Sequence, residues 1–252
     1  MTWALDLDGV VWLGEDLIRG SAAAVTALRD RGERVVFFTN NSNKVVGDYV
    51  AKLERMGIAA SSEDVVSSAQ AAASLLRPGT TALVCAGPGV TEALDERGVE
   101  AVTSGPADAV VVGWHVEFDY GRLTAATAAV LGGARLVGTN DDATYPTSHG
   151  LIPGGGALLA AVAYAGSAVP EVAGKPNPAM VALVESRLGA VAHVVGDRPN
   201  TDGLLARRLG ARFHLVLSGV TKESELPVDP EPDTVAPDLA TLVAGQGSAA
   251  GP

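Results

Sequence analysis

Four short segments carry the side chains able to do chemistry. DLDGVVW contains Asp6 and Asp8, FFTNNSN contains Thr39, Asn40 and Asn41, AGKPNPAM contains Lys175, and VVGDRPNTDG contains Asp197 and Asp202. Asp6 and Asp8 stand two apart, so an extended backbone points both carboxylates to one side, and Gly9 allows a sharp turn directly after them. Two close carboxylates repel unless a proton or a cation intervenes, so the pair implies a metal or an acid/base couple, or else an aspartate-rich surface turn. An EF-hand is excluded, because Gly9 is misplaced and the later ligands are missing. The hydroxyl and amides of Thr39, Asn40 and Asn41 suit phosphate oxygens, and equally suit an ordinary turn. Lys175 is a point charge able to neutralise a phosphate, but Pro176 stands where a P-loop needs Ser or Thr. Asp197 and Asp202 are oxygen donors of the kind a hard cation such as Mg2+ takes; Asp202 also reads as the N-cap of a helix.

Short β-branched runs alternate with alanine-rich amphipathic stretches and would position these segments. Strands are expected over 2–6, 33–39 and 65–67, with helices over 21–32 (Ser21 as N-cap), 44–56 and 68–76. After a break at 77–79 a second alternation begins, with strands over 80–86, 100–103, 109–112 and 135–138. Its helices run to 97, over 120–131 and over 157–165, and 139–156 reads as a loop. Asn177 followed by Pro178 has the form of an N-cap with proline at the first helical position. Strands over 191–195 and 212–217 flank a helix over 202–209, and the tail from 245 reads as frayed. Such alternation is the signature of a parallel α/β sheet, whose strands bind ligands at their carboxyl ends. Residues 80–170 form a middle lobe inserted into an outer α/β domain of 1–79 and 171–252.

At 252 residues and 47% hydrophobic composition the chain buries about 70% of its surface, which excludes intrinsic disorder. A formal charge of −11 argues against binding nucleic acid or an anionic membrane, and an anionic substrate would need a local cation. The single cysteine, Cys85, allows no intrachain disulfide and no thiolate cluster for zinc. The start, MTWALDLDG, lacks a basic leader, and no apolar run nears the roughly 18 residues of a membrane span, so a cytoplasmic protein is expected. Gly87-Pro88-Gly89 echoes a dinucleotide-binding turn, but Glu92 occupies the sixth position and nucleotide-cofactor binding is not expected there.

The ordered set DLDGVVW, FTNNS, GKPNP and GDRPNTD resembles the four motifs of the haloacid dehalogenase superfamily of phosphatases, over nearly the whole chain. The middle lobe, with VVVGWHVEFDY, GTNDDATYPT and GLIPGGGAL, is similar to the α/β cap of its class IIA subgroup, which includes NagD-like and p-nitrophenyl phosphatases. The resemblance implies a Rossmann-like parallel-sheet core with an inserted α/β cap, and hydrolysis of a small phosphomonoester. Glycerol 3-phosphate, phosphoglycolate, pyridoxal phosphate and nucleoside monophosphates are its candidate substrates. By the same resemblance Asp6 is the nucleophile forming an aspartyl-phosphate, and Asp8 is the general acid and then base. Thr39, Asn40, Asn41 and Lys175 hold the phosphoryl group. Mg2+ is bound by Asp6, the Asp8 carbonyl and Asp197, while Asp202 orients Lys175 or a metal-bound water. His115, His149 and Gly155 are candidate cap contacts to substrate, with His115 alternatively a solvent-facing residue. A homodimer through the cap is the family expectation. The rival readings are a phosphotransferase or mutase using the same aspartyl-phosphate, and a non-catalytic phosphometabolite-binding protein. The motifs depart from the commoner pattern at Pro199-Asn200 and at Trp114-His115.

Overall fold

The computed structural model describes residues 1–147 and 150–247, and two parallel sheets organise them. In the first, Thr234–Ala236, Arg212–Val216, His193–Gly196, Thr2–Asp6, Arg34–Thr39 and Val65–Ser67 lie side by side in that order. These strands are continuous apolar runs because helices cover both faces of a parallel sheet. The strands following Thr2–Asp6 spread to one side of it, and the later three to the other. The order therefore reverses at Thr2–Asp6, which opens a crevice at the carboxyl ends. Asp6 pairs in register with Phe38, and Leu5 with Val195. Asp6, Thr39 and Asp197 consequently emerge at nearly the same level.

The second sheet runs Glu171–Val172, Arg135–Gly138, Ala109–Val112, Thr81–Cys85, Glu100–Val102, again all parallel. Its strand Glu171–Val172 lies just past residue 170, where the middle lobe was expected to end. Lys175 thus leaves from the second sheet, not the first. The stretch 139–156, expected as a loop, contains an antiparallel hairpin of Thr144–Thr147 with Gly150–Pro153.

Local chemistry explains most element boundaries. Ser67 and Gln70 form a reciprocal capping box that opens the helix Ser68–Ser74. Ser21, expected as an N-cap, is instead the first helical residue; Gly20 takes the left-handed turn, and the Ser21 hydroxyl donates to the Val10 carbonyl at 3.1 Å. Asn177 does precede the helix Pro178–Leu188, but its amide donates to the Gly174 carbonyl at 3.0 Å and not to a helix end. The helix expected over 202–209 opens with a π-helical turn, Pro199–Gly203, before Leu204–Leu209. The final helix, Leu239–Gly247, passes through the start of the tail expected to fray, and 248–252 lie outside the described residues.

One apolar cluster joins the two sheets. It runs from Phe38 and Val66 through the alanines of Ser68–Ser74 to Val90, Leu94 and Val111 of the second lobe. Gly87 and Gly89 seat that lobe on the loop after Arg34–Thr39: a Cβ at Gly87 would lie 1.9 Å from Asn43 Oδ1, and one at Gly89 2.2 Å from the Lys44 carbonyl oxygen. The Gly-Pro-Gly turn therefore serves close packing. Glu92, on the helix that follows it, accepts the Val46 N–H at 2.7 Å and satisfies an orphan donor of the helix Val46–Arg55. Among the described residues no helix is long and apolar enough to cross a membrane.

Candidate active site

The crevice at the carboxyl end of Thr2–Asp6 collects the four segments. Asp6 ends its strand, and the chain then turns at Gly9 with φ +90°. Any side chain there would collide, since a Cβ on Gly9 would stand 2.5 Å from Asp197 Oδ2; on Gly219 it would stand 2.0 Å away. Two glycines thus make room for one carboxylate. A Cβ on Gly196 would in turn overlap the Asp202 side chain, so Asp202 packs directly over the strand that delivers Asp197.

Lys175 Nζ donates to Asp6 Oδ1 and to Asp202 Oδ1, both at 2.7 Å, and all three side chains are more than nine-tenths buried or nearly so. An ammonium has three protons, so one remains for a ligand. Burial works against the Lys175 charge, yet Asp202 and then Asp6 together raise its pKa above the ordinary lysine value. Burial pushes Asp6 well up; Lys175 opposes this, while Asp202, Asp197 and Asp8 add to it. The Asp197 carboxyl is pushed up to about 7, first by burial and then by Asp202, against the Val220 N–H that donates to its Oδ2 at 2.6 Å.

The acidic cluster fits a divalent cation. Carboxylate oxygens of Asp6, Asp197 and Asp202 lie within 4.8 Å of one another, and Asp197 Oδ1 is buried with no hydrogen-bond partner. Three buried carboxylates share a single ammonium, so the site is short of positive charge, and an oxygen-seeking cation would supply it.

Asp8 is half-buried, and its desolvation raises its pKa, with Tyr145, Trp12, Lys52 and Lys175 acting the other way. Trp12 Nε1 at 3.1 Å and the Tyr145 hydroxyl at 3.0 Å both donate to its Oδ1. Thr39, Asn40, Asn41 and Gly155 all line the small cavity over Asp6 and Asp8. Thr39 Oγ1 accepts the Asn41 N–H at 3.0 Å, which leaves its hydroxyl proton to donate. The Asn40 side chain is committed elsewhere. Its oxygen accepts the Lys175 N–H at 2.8 Å, and its amide donates to the Lys175 carbonyl at 3.2 Å and to Asp142 Oδ2 at 3.1 Å.

His115 does not face solvent as the sequence suggested. It is 3% exposed, its Nδ1 lies 2.9 Å from the Gly113 carbonyl, its ring packs edge-on against Phe118, and it does not line the cavity. His149 lies outside the described residues. Sequence reasoning missed Trp12, Asn140, Asp142, Tyr145 and Arg198. Trp12 follows Asp8 at four residues across a glycine turn, which is a usable signal. Tyr145 and Asp142 carry none, because a hairpin read as a loop brings them across more than 100 residues. Arg198 lines the cavity and pairs with Asp142 at 3.6 Å, tying the loop after His193–Gly196 to that hairpin's stem.

Comparison with known proteins follows the same lines. The haloacid dehalogenase-like hydrolase family profile matches residues 3–100, and a HAD-hydrolase-like profile matches 172–242. An acid sugar phosphatase of Staphylococcus saprophyticus is 31% identical over 239 residues, covering 92% of each chain. The crystal structure of a glycerol phosphate phosphatase of Mycobacterium tuberculosis with calcium superposes with a TM-score of 0.88 at 34% identity, over 96% of this chain and 74% of that one. A p-nitrophenyl phosphatase from Archaeoglobus fulgidus gives 0.89 at 27% identity, over 97% and 98%. The chain belongs to the haloacid dehalogenase-like hydrolases. It is a phosphatase of that family, built on the parallel-sheet α/β core typical of it.

Proposed function

We propose that this phosphatase hydrolyses the phosphomonoester of a small metabolite with Asp6 as nucleophile, Asp8 as general acid and base, and Mg2+ as cofactor. The observation that carries the reading is the buried Asp6–Lys175–Asp202 array, with Asp8 beside it in one narrow cavity. An Asp6 oxygen attacks phosphorus as the bond to the alcohol oxygen breaks, and Asp8 gives that oxygen a proton. A water then attacks the phosphorus of the aspartyl-phosphate and passes its proton to Asp8, and the phosphorus–Asp6 bond breaks to release phosphate. The raised pKa of Asp8 suits this alternation.

Lys175 offers its third proton to the phosphoryl oxygens, with Thr39 and Asn41 as neutral donors. We assign the Asn40 side chain to holding the Lys175 backbone. Asp6, the Asp8 carbonyl and Asp197 would hold Mg2+, which when bound offsets the repulsion between a carboxylate and a phosphate dianion. Asp202 orients Lys175. Burial and Asp202 push the Asp197 carboxyl up, so protons compete with the cation and metal affinity should weaken as the pH falls. The relatives named for sugar and glycerol phosphates, one of them also crystallised with magnesium, support a small-metabolite substrate and this metal. Residues 80–170 with Glu171–Val172 act as the cap, and 1–79 with the remainder as the catalytic domain.

The test is phosphate release from small phosphomonoesters with Mg2+ and with EDTA, beside Asp6→Asn. Mg2+-dependent release that the variant loses is expected. Release by the variant at the wild-type rate would overturn the nucleophile, and transfer to an added sugar hydroxyl would favour a phosphotransferase.

A further inference from the structure

Asp8 sits in a small closed turn, and a lysine from a distant helix holds that turn. The Leu7 carbonyl accepts the N–H groups of Val11 and Trp12 at 3.0 and 3.1 Å, and the Gly9 N–H donates to the Trp12 carbonyl at 2.7 Å. The chain then forms the antiparallel pair Trp12–Leu13 with Asp16–Leu17, turning at Gly14 and Glu15. We infer that Lys52, on the helix Val46–Arg55, is a positioning residue for proton transfer: it pins the Trp12 indole, whose N–H fixes the Asp8 carboxyl. The inference rests on the phosphatase reading above, with Asp8 as general acid, and adds a residue to it.

The contacts of Lys52 are complete within the protein. Its side chain is buried. Nζ donates to the Gly14 carbonyl at 2.6 Å and to Glu15 Oε1 at 3.4 Å, and it stands 4.3 Å from the centre of the Trp12 ring. Two protons thus go to oxygens, and the rest of the ammonium meets the negative face of the indole. Lys52 therefore acts through what it holds, the turn at Gly14 and the ring of Trp12.

Packing alone does not call for a cation at this position. The same helix also buries Val46, Tyr49 and Leu53, and an apolar side chain at 52 would join it to the Trp12 turn at lower desolvation cost. What the charge adds is directed at the indole. An ammonium over the π face holds the ring in place and draws electron density from it, which makes Nε1–H a stronger donor. That N–H meets Asp8 Oδ1 at 3.1 Å, and the Tyr145 hydroxyl shares the same oxygen at 3.0 Å. With both donors on Oδ1, Oδ2 is the oxygen that carries the proton to the leaving group. A carboxyl free to rotate would present that proton only part of the time.

The experiment compares kcat/KM of the full chain with Mg2+ for two esters of similar shape, phenyl phosphate and p-nitrophenyl phosphate. Phenol, with a pKa of about 10 like tyrosine, needs the proton to leave, whereas p-nitrophenolate departs largely without it. Because kcat/KM reports only the steps up to the aspartyl-phosphate, the later attack of water does not enter. Lys52→Met should lower kcat/KM by about tenfold for phenyl phosphate and by less than about twofold for p-nitrophenyl phosphate. Trp12→Phe should cost the phenyl ester about as much, and adding Lys52→Met to it should cost no more than about twofold further. No loss, equal loss on both esters, or additive losses in the double variant would overturn this inference. Asp8→Asn separates it from the reading beneath: it should discriminate between the esters more strongly than Lys52→Met, and equal loss on both would overturn the acid assignment and this inference with it. No release from either ester by the wild-type chain would overturn the phosphatase reading as well. If Lys52→Met fails to fold, Lys52→Gln, which keeps an N–H donor for Gly14 but removes the charge over Trp12, decides in its place.

Discussion

Both sheets are parallel and both aim their carboxyl ends at the same crevice, yet they bring different groups to it. The first sheet supplies the buried acids, Asp6 ending one strand and Asp197 following His193–Gly196 directly, with the neutral Thr39, Asn40 and Asn41 beside them. The second supplies the ammonium: Lys175 follows Glu171–Val172, while Asn140 and Asp142 follow Arg135–Gly138. Neither set is stable alone, because buried like charges repel and a buried ammonium needs partners. Docking the two sheets sets the Lys175 ammonium between Asp6 and Asp202, offsets part of the negative charge and assembles the site. The same topology can therefore present different side chains to one crevice, depending on which residues stand at the strand ends.

The comparison can be broken most severely at the acid side. Asp6→Asn should lower kcat by at least about 10⁴-fold in a phosphate-release assay while the circular dichroism spectrum stays unchanged. Attacking the basic side, Lys175→Met should cost about 10²–10³-fold in kcat and should also lower the melting temperature, since it leaves Asp6 and Asp202 buried without their cation. Asp197→Asn should move the midpoint of a Mg2+ activation curve upward by about 10–100-fold; an unmoved midpoint would remove Asp197 from the metal site.

Smaller effects test how the sheets are joined. Gly89→Ala places a Cβ on the Lys44 backbone and should reduce stability in urea by about 1–3 kcal/mol, with kcat falling as the lobes part. Far from the crevice, His193 Nδ1 and His214 Nε2 lie 2.9 Å apart beneath Trp3. Burial, with His193 adding to it, holds the His214 pKa down to about 4. Its unfolded value is higher, so the unfolded chain binds the proton first and stability falls with pH below about 6.5. Relative to His214→Phe, the wild-type protein should therefore lose about 2 kcal/mol between pH 7.5 and pH 5, measured by denaturant unfolding at each pH.

Much of the site was legible in the linear order of residues. The DxDG spacing, the strand before each polar segment and the Gly-Lys-Pro loop located Asp6, Asp8, Lys175, Asp197 and Asp202, because local backbone geometry alone brings each to a strand end. Other assignments needed contacts that no local pattern encodes. Asn40 has the residue type of a phosphate donor, but its neighbours across 135 residues claim its side chain. His115 falls in the loop after a strand, where exposure is expected, yet the fold buries it against Gly113 and Phe118. Tyr145 reaches Asp8 only because a hairpin forms where turn residues suggested a loop.

The sequence by itself determined the alternating α/β architecture and the identity of the acids, since apolar periodicity and motif spacing act over a few residues. Tertiary structure decided which charges meet. The partners of Lys175 lie 169 and 27 residues away, and one oxygen of Asp8, Oδ1, accepts from donors of two lobes. Such pairings depend on how two sheets dock, and docking is set by the summed packing of a shared core, not by any one segment.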